Sequence, residues 1–177
     1  MKSYVVIARF DEETERKIVD LQSKLTGCSI PDWPPHVTIA AYENFEEKLL
    51  CERTSDFVSK HEKMKIALTS LSILPPGGEH TETAVLCLDP AHSKPFVDFY
   101  YSFHEKHEEY CTGVGQFNSI VNDSPVIHAT IGIVKVKELQ KAMETTLSSG
   151  VFGQAEITAL EVYELPKRFV KRYELIG

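Results

Sequence analysis

His36-Val37-Thr38-Ile39 and His128-Ala129-Thr130-Ile131 are two copies of one pattern, in which a histidine and a threonine alternate with apolar residues. Only these two of the seven histidines are followed by a threonine at the second position. Chance would produce the full pattern on the order of 0.1 times in a chain of this length, because four positions must match at once. The fold and the function are therefore best argued from these two stretches.

Both copies lie in segments rich in β-branched residues, HVTIAAY from residue 36 and VIHATIGIV from residue 126, which predicts a β-strand for each. Side chains alternate between the two faces of a strand, so the histidine and threonine of each copy share a face. Ala40 and Gly132 are expected to follow on that face and to leave space beside the polar groups. We expect two polar faces that confront each other across a cleft.

The elements around these strands also occur twice. IVDLQ at Ile18 resembles FVDFY at Phe96, which supports a duplication with a separation of about 80 to 90 residues, although such short matches also arise by chance. Hydrophobic periodicity predicts helices over residues 12–25, 44–60, 94–110 and 138–148. Further strands are predicted over residues 4–8, 65–74, 83–88, 156–165 and 169–175, with a breaker at Pro75-Pro76-Gly77-Gly78.

The composition is that of an ordinary folded protein, with 42% hydrophobic and 25% charged residues in a chain of 177. A formal net charge of -7 opposes binding to extended nucleic acid or to an anionic membrane. No apolar run resembles a signal peptide or a membrane span, so a cytoplasmic location is expected. The four cysteines contain no C-x-x-C pair and are interpreted as reduced thiols, mostly in the core.

Two imidazoles and two hydroxyls in one cleft suit phosphodiester chemistry. One imidazole can accept a proton from the attacking oxygen while the other donates a proton to the leaving oxygen, because histidine titrates near neutral pH. The threonine hydroxyls would hold the non-bridging phosphate oxygens. This chemistry requires no metal.

HVTI and HATI resemble the paired H-x-T-x motifs of the two-histidine (2H) phosphoesterase superfamily, which contains the 2′-5′ RNA ligase-like proteins and cyclic phosphodiesterases. The resemblance covers nearly the whole chain and implies catalysis by His36 and His128, phosphate binding by Thr38 and Thr130, and no cofactor. Substrates of the superfamily are cyclic phosphates or 2′-5′ linkages at RNA ends.

The resemblance also implies an α+β fold with a bilobal internal duplication, in which two antiparallel β-sheets with outer helices face each other across a central cleft. One bilobal domain over residues 1–177 is expected, with lobes of approximately 1–80 and 81–177; strand exchange between the lobes is left open, and the protein is expected to be a monomer. Pro35 precedes the first motif in the usual way, whereas Ile127 precedes the second and Pro125 stands two residues earlier, so the two entry loops are expected to differ.

Other residues are weaker candidates. Trp33 and Tyr42 flank the first motif and Phe117 precedes the second, so each could stack on a nucleobase or belong to the core or rim. The densest basic cluster could bind phosphate or be solvated hairpin charge. It consists of Lys167, Arg168, Lys171 and Arg172.

A metal centre is the rival interpretation of the histidines. His36 and His128 have no Asp, Glu, Cys or His at close ligand spacing, so no metal is expected there. His104 and His107 could lie on one face of a helix, but their charged neighbours indicate a solvated surface.

The sequence therefore predicts a metal-independent phosphodiesterase that opens 2′,3′-cyclic or related nucleotide cyclic phosphates, or cleaves 2′-5′ linkages at RNA ends. The expected partner is a small nucleotide-type cyclic phosphodiester or an RNA terminus, not extended nucleic acid or a membrane. A non-catalytic module that binds a nucleotide or an RNA end in the same cleft is the alternative, and 2′-5′ ligation, the reverse of the same chemistry, is a third.

Overall fold

The computed structural model describes residues 2–76, 81–105, 107–121 and 125–177. The predicted breaker at 75–78 therefore lies partly outside the described residues. Three short 3-10 helices occur at Glu108–Tyr110, Gly113–Asn118 and Val136–Glu138. The other elements are β1 (Ser3–Phe10), α1 (Glu12–Lys24), β2 (Cys28–Ser29), β3 (His36–Glu43), α2 (Glu47–Val58), β4 (Met64–Leu74), β5 (Thr83–Pro90), α3 (Lys94–His104), β6 (Ala129–Lys135), α4 (Leu139–Leu147), β7 (Gly153–Glu164) and β8 (Arg168–Glu174).

The α+β class and the antiparallel pairing are confirmed. The helix predicted over 94–110 is too long, because α3 ends at His104 and the charged residues after it offer no apolar stripe to bury. The strand predicted from residue 126 begins only at Ala129. The strand β2 was not predicted, because two residues are too few to show the alternation of a strand. In the part of the chain that is described, no helix is long and apolar enough to cross a bilayer.

The two expected sheets are joined into one eight-stranded sheet. Its strand order is β2-β6-β5-β4-β7-β1-β3, and β8 pairs with β7. The long strand β7 joins the two parts, because its first residues pair with β4 and residues 159–164 pair with both β1 and β8. β4 and β8 thus follow each other along one edge of β7, and the sheet diverges into two parts at this strand.

The sheet bends until its distant strands meet. β3 and β6 are five strand spacings apart in the pairing order, which corresponds to roughly 24 Å in a flat sheet. Residues of the two strands nevertheless approach within 8 Å, measured between Cα atoms. The bend therefore brings the two motif strands together across one face of the sheet.

The opposite face of the sheet carries the main core. One continuous cluster contains residues from all four helices, with Ile18 of α1, Leu50 of α2, Phe96 of α3 and Ala142 of α4 packed against alternate residues of the strands. The face without helices has a smaller apolar cluster of its own. Its members are Val5, Ile7, Ala41 and Tyr163, with Trp33 and Leu165 packed against them.

Asp11 fixes the start of α1 on the sheet. Its carboxylate accepts hydrogen bonds from the backbone N–H of Thr14 at 2.9 Å and of Glu156 at 2.8 Å. The first bond caps the helix and the second ties that cap to β7. The burial of Asp11 raises its pKa, but the hydrogen bonds outweigh burial and hold that pKa below its ordinary value.

A buried charge network joins β1, β7 and β8 on the face without helices. Glu161 is 3% exposed and accepts hydrogen bonds from Arg9 at 2.8 Å, Arg172 at 3.1 Å and the Tyr163 hydroxyl at 2.9 Å. Burial raises the pKa of Glu161, but the bonds from Arg9 and Tyr163 hold it below its ordinary value. Arg9 also forms a bidentate pair with Glu15 of α1. The network therefore fixes three strands and one helix around a single carboxylate.

We predict that Glu161→Ala lowers the free energy of unfolding by about 3 kcal/mol, because it leaves two arginine charges without this buried partner. Glu174→Ala is the matched control, since Glu174 also pairs with Arg172 but is exposed, and it should cost less than about 1 kcal/mol. Urea unfolding of the three proteins measures both values. Equal effects of the two substitutions would contradict the prediction.

Candidate active site

The first motif strand contains a β-bulge directly after its threonine. Ile7 of β1 pairs with Thr38, but the preceding Val6 pairs with Ala40, so Ile39 is the extra residue. The expected alternation therefore ends at the bulge. Ala40 joins the main core and does not follow Thr38 on the polar face.

The second motif strand has the same bulge at the equivalent position. Cys87 of β5 pairs with Thr130, but Leu86 pairs with Gly132, so Ile131 is the extra residue. Gly132 thus lies beside a core residue and leaves the polar face, contrary to the expected alternation. Bulges of this kind increase local twist and redirect side chains. Their recurrence after each H-x-T is a structural sign of the duplication.

His36 lies at the start of β3 and is half-buried. Its Nδ1 donates to the Pro34 carbonyl at 2.7 Å, which favours the tautomer with a free lone pair on Nε2. Burial lowers the pKa of His36, and the charges of Arg9 and His128 lower it further. The Pro34 carbonyl and Glu161 raise that pKa, but their effect is smaller. The neutral imidazole is therefore favoured.

His128 immediately precedes β6 and is also half-buried. Burial lowers its pKa, whereas the Val126 carbonyl and the Asp89 carboxylate raise it. Its Nδ1 has no hydrogen-bond partner among the described residues, although the Val126 carbonyl lies close enough to favour a proton. The strands β3 and β6 approach within 8 Å between Cα atoms, and the charge of His128 lowers the pKa of His36.

The residues opposite the two histidines carry opposite charges. Arg9 of β1 pairs directly with His36. On the second motif strand, Leu88 pairs with Ala129, which places Asp89 beside His128. The two lobes thus put a cation next to one imidazole and an anion next to the other. Burial lowers the pKa of both histidines; in addition, Arg9 lowers that of His36 and Asp89 raises that of His128.

The threonines lie beside their histidines, and both are half-buried. Thr38 pairs with Ile7 at the bulge of the first motif strand. Thr130 pairs with Cys87 at the second bulge, and its hydroxyl interacts with the Cys87 sulfur. Burial raises the pKa of that thiol to about 12, so it stays protonated near neutral pH. Both hydroxyls are thus placed beside the imidazoles without an ionised neighbour at the bulge.

The aromatic candidates have three different positions. Trp33 packs against His36, with ring centroids 5.8 Å apart, and against Tyr163 at 4.8 Å. Tyr42 is fully buried in the main core, which is one of the positions that the sequence left open, because the bulge at Ile39 turns it to the helix side. Phe117 is 71% exposed on a 3-10 helix that packs against β3.

Three of the four residues of the basic cluster near the last turn are paired with acids. Lys167 binds Asp32, and Arg168 binds Glu47 and Glu164. Arg172 binds Glu161 and Glu174, and Lys171 lies over the ring of Tyr173. The cluster therefore does not form an uncompensated cationic surface.

Arg9, Glu161 and Asp89 are not part of the repeated motif, although the sequence around two of them carries a signal. Arg9 and Glu161 are charged residues inside otherwise apolar strand sequences, YVVIARF and ITALEVY. A charge in such a position indicates a polar sheet face. Asp89 carries no comparable signal, because it stands at a strand end where acids are common.

The interpretation of His104 and His107 as a solvated surface is wrong, since they are 0% and 6% exposed. In the described ranges, three or more potential metal ligands converge only at His104, Glu108 and Cys111, a group that excludes both motif histidines. A cavity of about 450 Å³, lined mainly by residues of α2 and α3, also contains neither motif histidine.

No protein-family model and no curated protein sequence matches the chain. Solved structures do match. TT0787 of Thermus thermophilus has a TM-score of 0.64 at 12% identity, over 100% of this chain and 99% of that one. E. coli LigT complexed with ATP has a TM-score of 0.57 at 10% identity, and Kluyveromyces marxianus Usb1 with uridine monophosphate has 0.56 at 12%. Both comparisons cover 99% of this chain and 98% of the other.

These matches extend over both motif strands and over the whole eight-stranded sheet. LigT and Usb1 belong to the superfamily whose motifs HVTI and HATI resemble. The chain therefore has the fold of the two-histidine phosphoesterases.

Proposed function

We propose that this protein is an enzyme that hydrolyses small cyclic phosphodiesters of nucleotides, with 2′,3′-cyclic phosphates as the first class to test. The observation that supports this most is the approach of two half-buried imidazoles whose neighbouring charges are opposite, Arg9 beside His36 and Asp89 beside His128. General acid–base catalysis needs this difference between two groups of the same type. No metal takes part in the proposed step.

His36 is the general base of the proposed hydrolysis. Its Nδ1 is held by the Pro34 carbonyl, so Nε2 has the lone pair that accepts a proton from water. As the proton leaves, the water oxygen forms a bond to phosphorus. Burial lowers the pKa of His36, and the positive charge of Arg9 lowers it further, so the resting imidazole is neutral and ready to accept.

His128 is the general acid. It gives its proton to the ribose oxygen as the bond between that oxygen and phosphorus breaks, so the ring opens without a free alkoxide. The carboxylate of Asp89 favours the protonated imidazole before the step. After one turnover His36 carries the proton and His128 is neutral, and exchange with solvent restores the starting state.

Thr38 and Thr130 are the phosphate-binding residues in this proposal. Each lies two residues after its histidine on the same strand face, so the two hydroxyls can donate to the two non-bridging oxygens from opposite sides. Such bonds position phosphorus between the imidazoles and stabilise the charge that grows on its oxygens. Trp33, in contact with His36, is the proposed surface for the base or sugar.

A nucleotide substrate is supported by what related folds contain. Usb1 of Kluyveromyces marxianus was crystallised with uridine monophosphate, and E. coli LigT with ATP and with NADP+. Those ligands belong to those proteins, but each combines a phosphate with a base and a sugar. The cleft of this chain offers the matching groups: hydroxyls, imidazoles and an indole ring.

Replacement of either His36 or His128 by Ala should lower kcat/KM on a 2′,3′-cyclic mononucleotide by roughly two to four orders of magnitude, because each removes one proton transfer. The double variant should be little worse than the worse single variant, since the pair acts as a unit. Phosphorus NMR of substrate and product measures the rates. His92→Ala, at an exposed histidine, is the control.

Near wild-type activity in either single variant would refute the mechanism. Saturable binding of the nucleotide without product, in the wild-type protein and across a panel of cyclic phosphates, would instead support the non-catalytic binding module. Thr38→Val and Thr130→Val should cost less than loss of a histidine, and should weaken binding together with turnover.

The opposite charges should appear in the pH dependence of kcat/KM. Arg9→Gln should move the acidic limb to higher pH, because the pKa of the base His36 rises when the cation is lost. Asp89→Asn should move the alkaline limb to lower pH, because the pKa of the acid His128 falls when the anion is lost. Arg9→Lys and Asp89→Glu retain the charges and should leave both limbs in place. If Arg9→Gln moved the alkaline limb and Asp89→Asn moved the acidic limb, His36 would be the acid and His128 the base.

Substrate size gives a separate test. The net charge is -7 and the densest basic cluster is paired with acids, so few phosphates of a long chain can be neutralised. A cyclic mononucleotide and an oligonucleotide with the same cyclic end should therefore have kcat/KM values within about tenfold of each other, with weak dependence on salt. A large preference for the oligonucleotide that decreases steeply with salt would show an extended RNA groove.

A further inference from the structure

A second pair of matching segments lies two strands away from the motifs. LTSLS, which begins at Leu68 in β4, aligns with ITALE, which begins at Ile157 in β7. β4 is the neighbour of β5, and β7 is the neighbour of β1, so each segment lies beside the strand that carries the charge next to a histidine. The last residue of the aligned segments is Ser72 in one half and Glu161 in the other.

The strand register places Ser72 and Glu161 at equivalent positions. Across the sheet from the first motif threonine, the order of directly paired residues is Ile7 and then Glu161. Across the sheet from the second motif threonine, the order is Cys87 and then Ser72. The two residues therefore occupy the same place in the two halves of the molecule.

Ser72 faces the side of the sheet without helices and binds Asp89 there. Its neighbours Leu71 and Ile73 pack against the main core, and side chains alternate between the two faces of a strand. The Ser72 hydroxyl donates to Asp89 Oδ1 at 2.8 Å. Ser70 is the residue directly opposite Asp89, so this bond runs diagonally, to the residue two positions further along β4.

The other half contains the same diagonal bond with the opposite charge. Arg9 pairs directly with Ala159, and Glu161, two positions further along β7, accepts from Arg9 at 2.8 Å. The residue at this place is an acceptor where the charge beside the histidine is positive. It is a donor, Ser72, where that charge is negative. Each half thus holds its charge with a group of complementary chemistry.

The position of the Asp89 carboxylate affects His128. The titratable groups that face His128 from the described neighbouring strands are Asp89 of β5, His36 of β3 and the protonated thiol of Cys87. Burial lowers the pKa of His128, whereas the Asp89 carboxylate raises it. A carboxylate that rotates towards water acts on a neighbour more weakly, because water screens its charge. The bond from Ser72 restricts this rotation.

We propose that Ser72 is a positioning residue that holds the Asp89 carboxylate beside His128. It is the counterpart of Glu161, which holds Arg9 in the other half. The catalytic meaning of this inference rests on the proposed function, in which His128 is the general acid. Ser72 acts through Asp89 and transfers no proton itself. A hydroxyl supplies a hydrogen-bond donor without adding a charge, so the carboxylate keeps its full effect on the imidazole.

NMR titration of the substrate-free protein, with labelled histidine rings, tests the position of Asp89 without reference to activity. Ser72→Ala should lower the pKa of His128 in the same direction as Asp89→Asn but by less, because the freed carboxylate still carries its charge. Ser72→Thr keeps the hydroxyl and should restore the wild-type pKa. Ser70→Ala is the matched control, since it removes the hydroxyl directly opposite Asp89 and leaves the bond from Ser72 intact.

The double variant with Asp89→Asn separates positioning from a general structural effect. Once the charge is absent, Ser72→Ala should lower the pKa of His128 no further, whereas a disturbed fold would add its shift in both backgrounds. An unchanged pKa in Ser72→Ala would overturn the inference. An equal shift in Ser70→Ala, or an additive shift in the double variant, would also overturn it.

The pH dependence of kcat/KM on a 2′,3′-cyclic mononucleotide gives the catalytic measurement. Ser72→Ala should move the alkaline limb to lower pH and leave the acidic limb in place, and Ser72→Thr should restore the wild-type profile. Hydrolysis with an alkaline limb that stays in place in Ser72→Ala would overturn the inference. If the wild-type protein hydrolyses no cyclic phosphate, the proposed function fails, and the NMR titration alone decides whether Ser72 positions Asp89.

Discussion

The structure depends most on a change of partner along one strand. β7 has 12 residues, which is about twice the usual length of a strand, and it pairs first with β4 and then with β8 on the same edge. A sheet that continues in two directions from one strand cannot stay flat. The strands β3 and β6, which belong to opposite parts of the sheet, therefore approach each other. Each half contributes one histidine strand, so neither half contains the proposed site alone.

The candidate site is symmetric in its two motif strands and asymmetric in the charges beside them. Both motif strands have the same bulge after the threonine, and both histidines lie beside the equivalent position of a neighbouring strand. The residue at that position carries opposite charge in the two halves: it is Arg9 in one and Asp89 in the other. Two identical imidazoles would share protons equally, whereas a cation and an anion separate their proton affinities. Arg9 is itself held by Glu161 and Glu15, so its position beside His36 is fixed by buried bonds.

The sequence predicts the elements well where burial follows a regular period. The helices α1 and α4 and most strands agree closely with the hydrophobic pattern, because one face of each is buried. The hydrophobic pattern does not predict features that depend on the neighbouring strand with which a segment pairs. The bulges at Ile39 and Ile131 are decided by the pairing with β1 and β5, and a single strand does not show them. The sequence therefore left Tyr42 open between base stacking, the rim and the core, and it predicted a shorter strand in place of the long β7.

The charged residues beside the histidines also could not be predicted from the sequence alone. The motif residues are visible because they are close in sequence and occur twice. Arg9, Asp89 and Glu161 come from three different strands and are brought to the histidines only by pairing, so no spacing in the chain connects them. The segment after α3 shows the converse case. Its charged residues indicate a solvated helix, yet His104 and His107 are buried because β3 supplies carbonyl and aromatic partners for them. Polar residues in this fold are thus buried wherever a neighbouring strand satisfies them, and their burial requires knowledge of that strand.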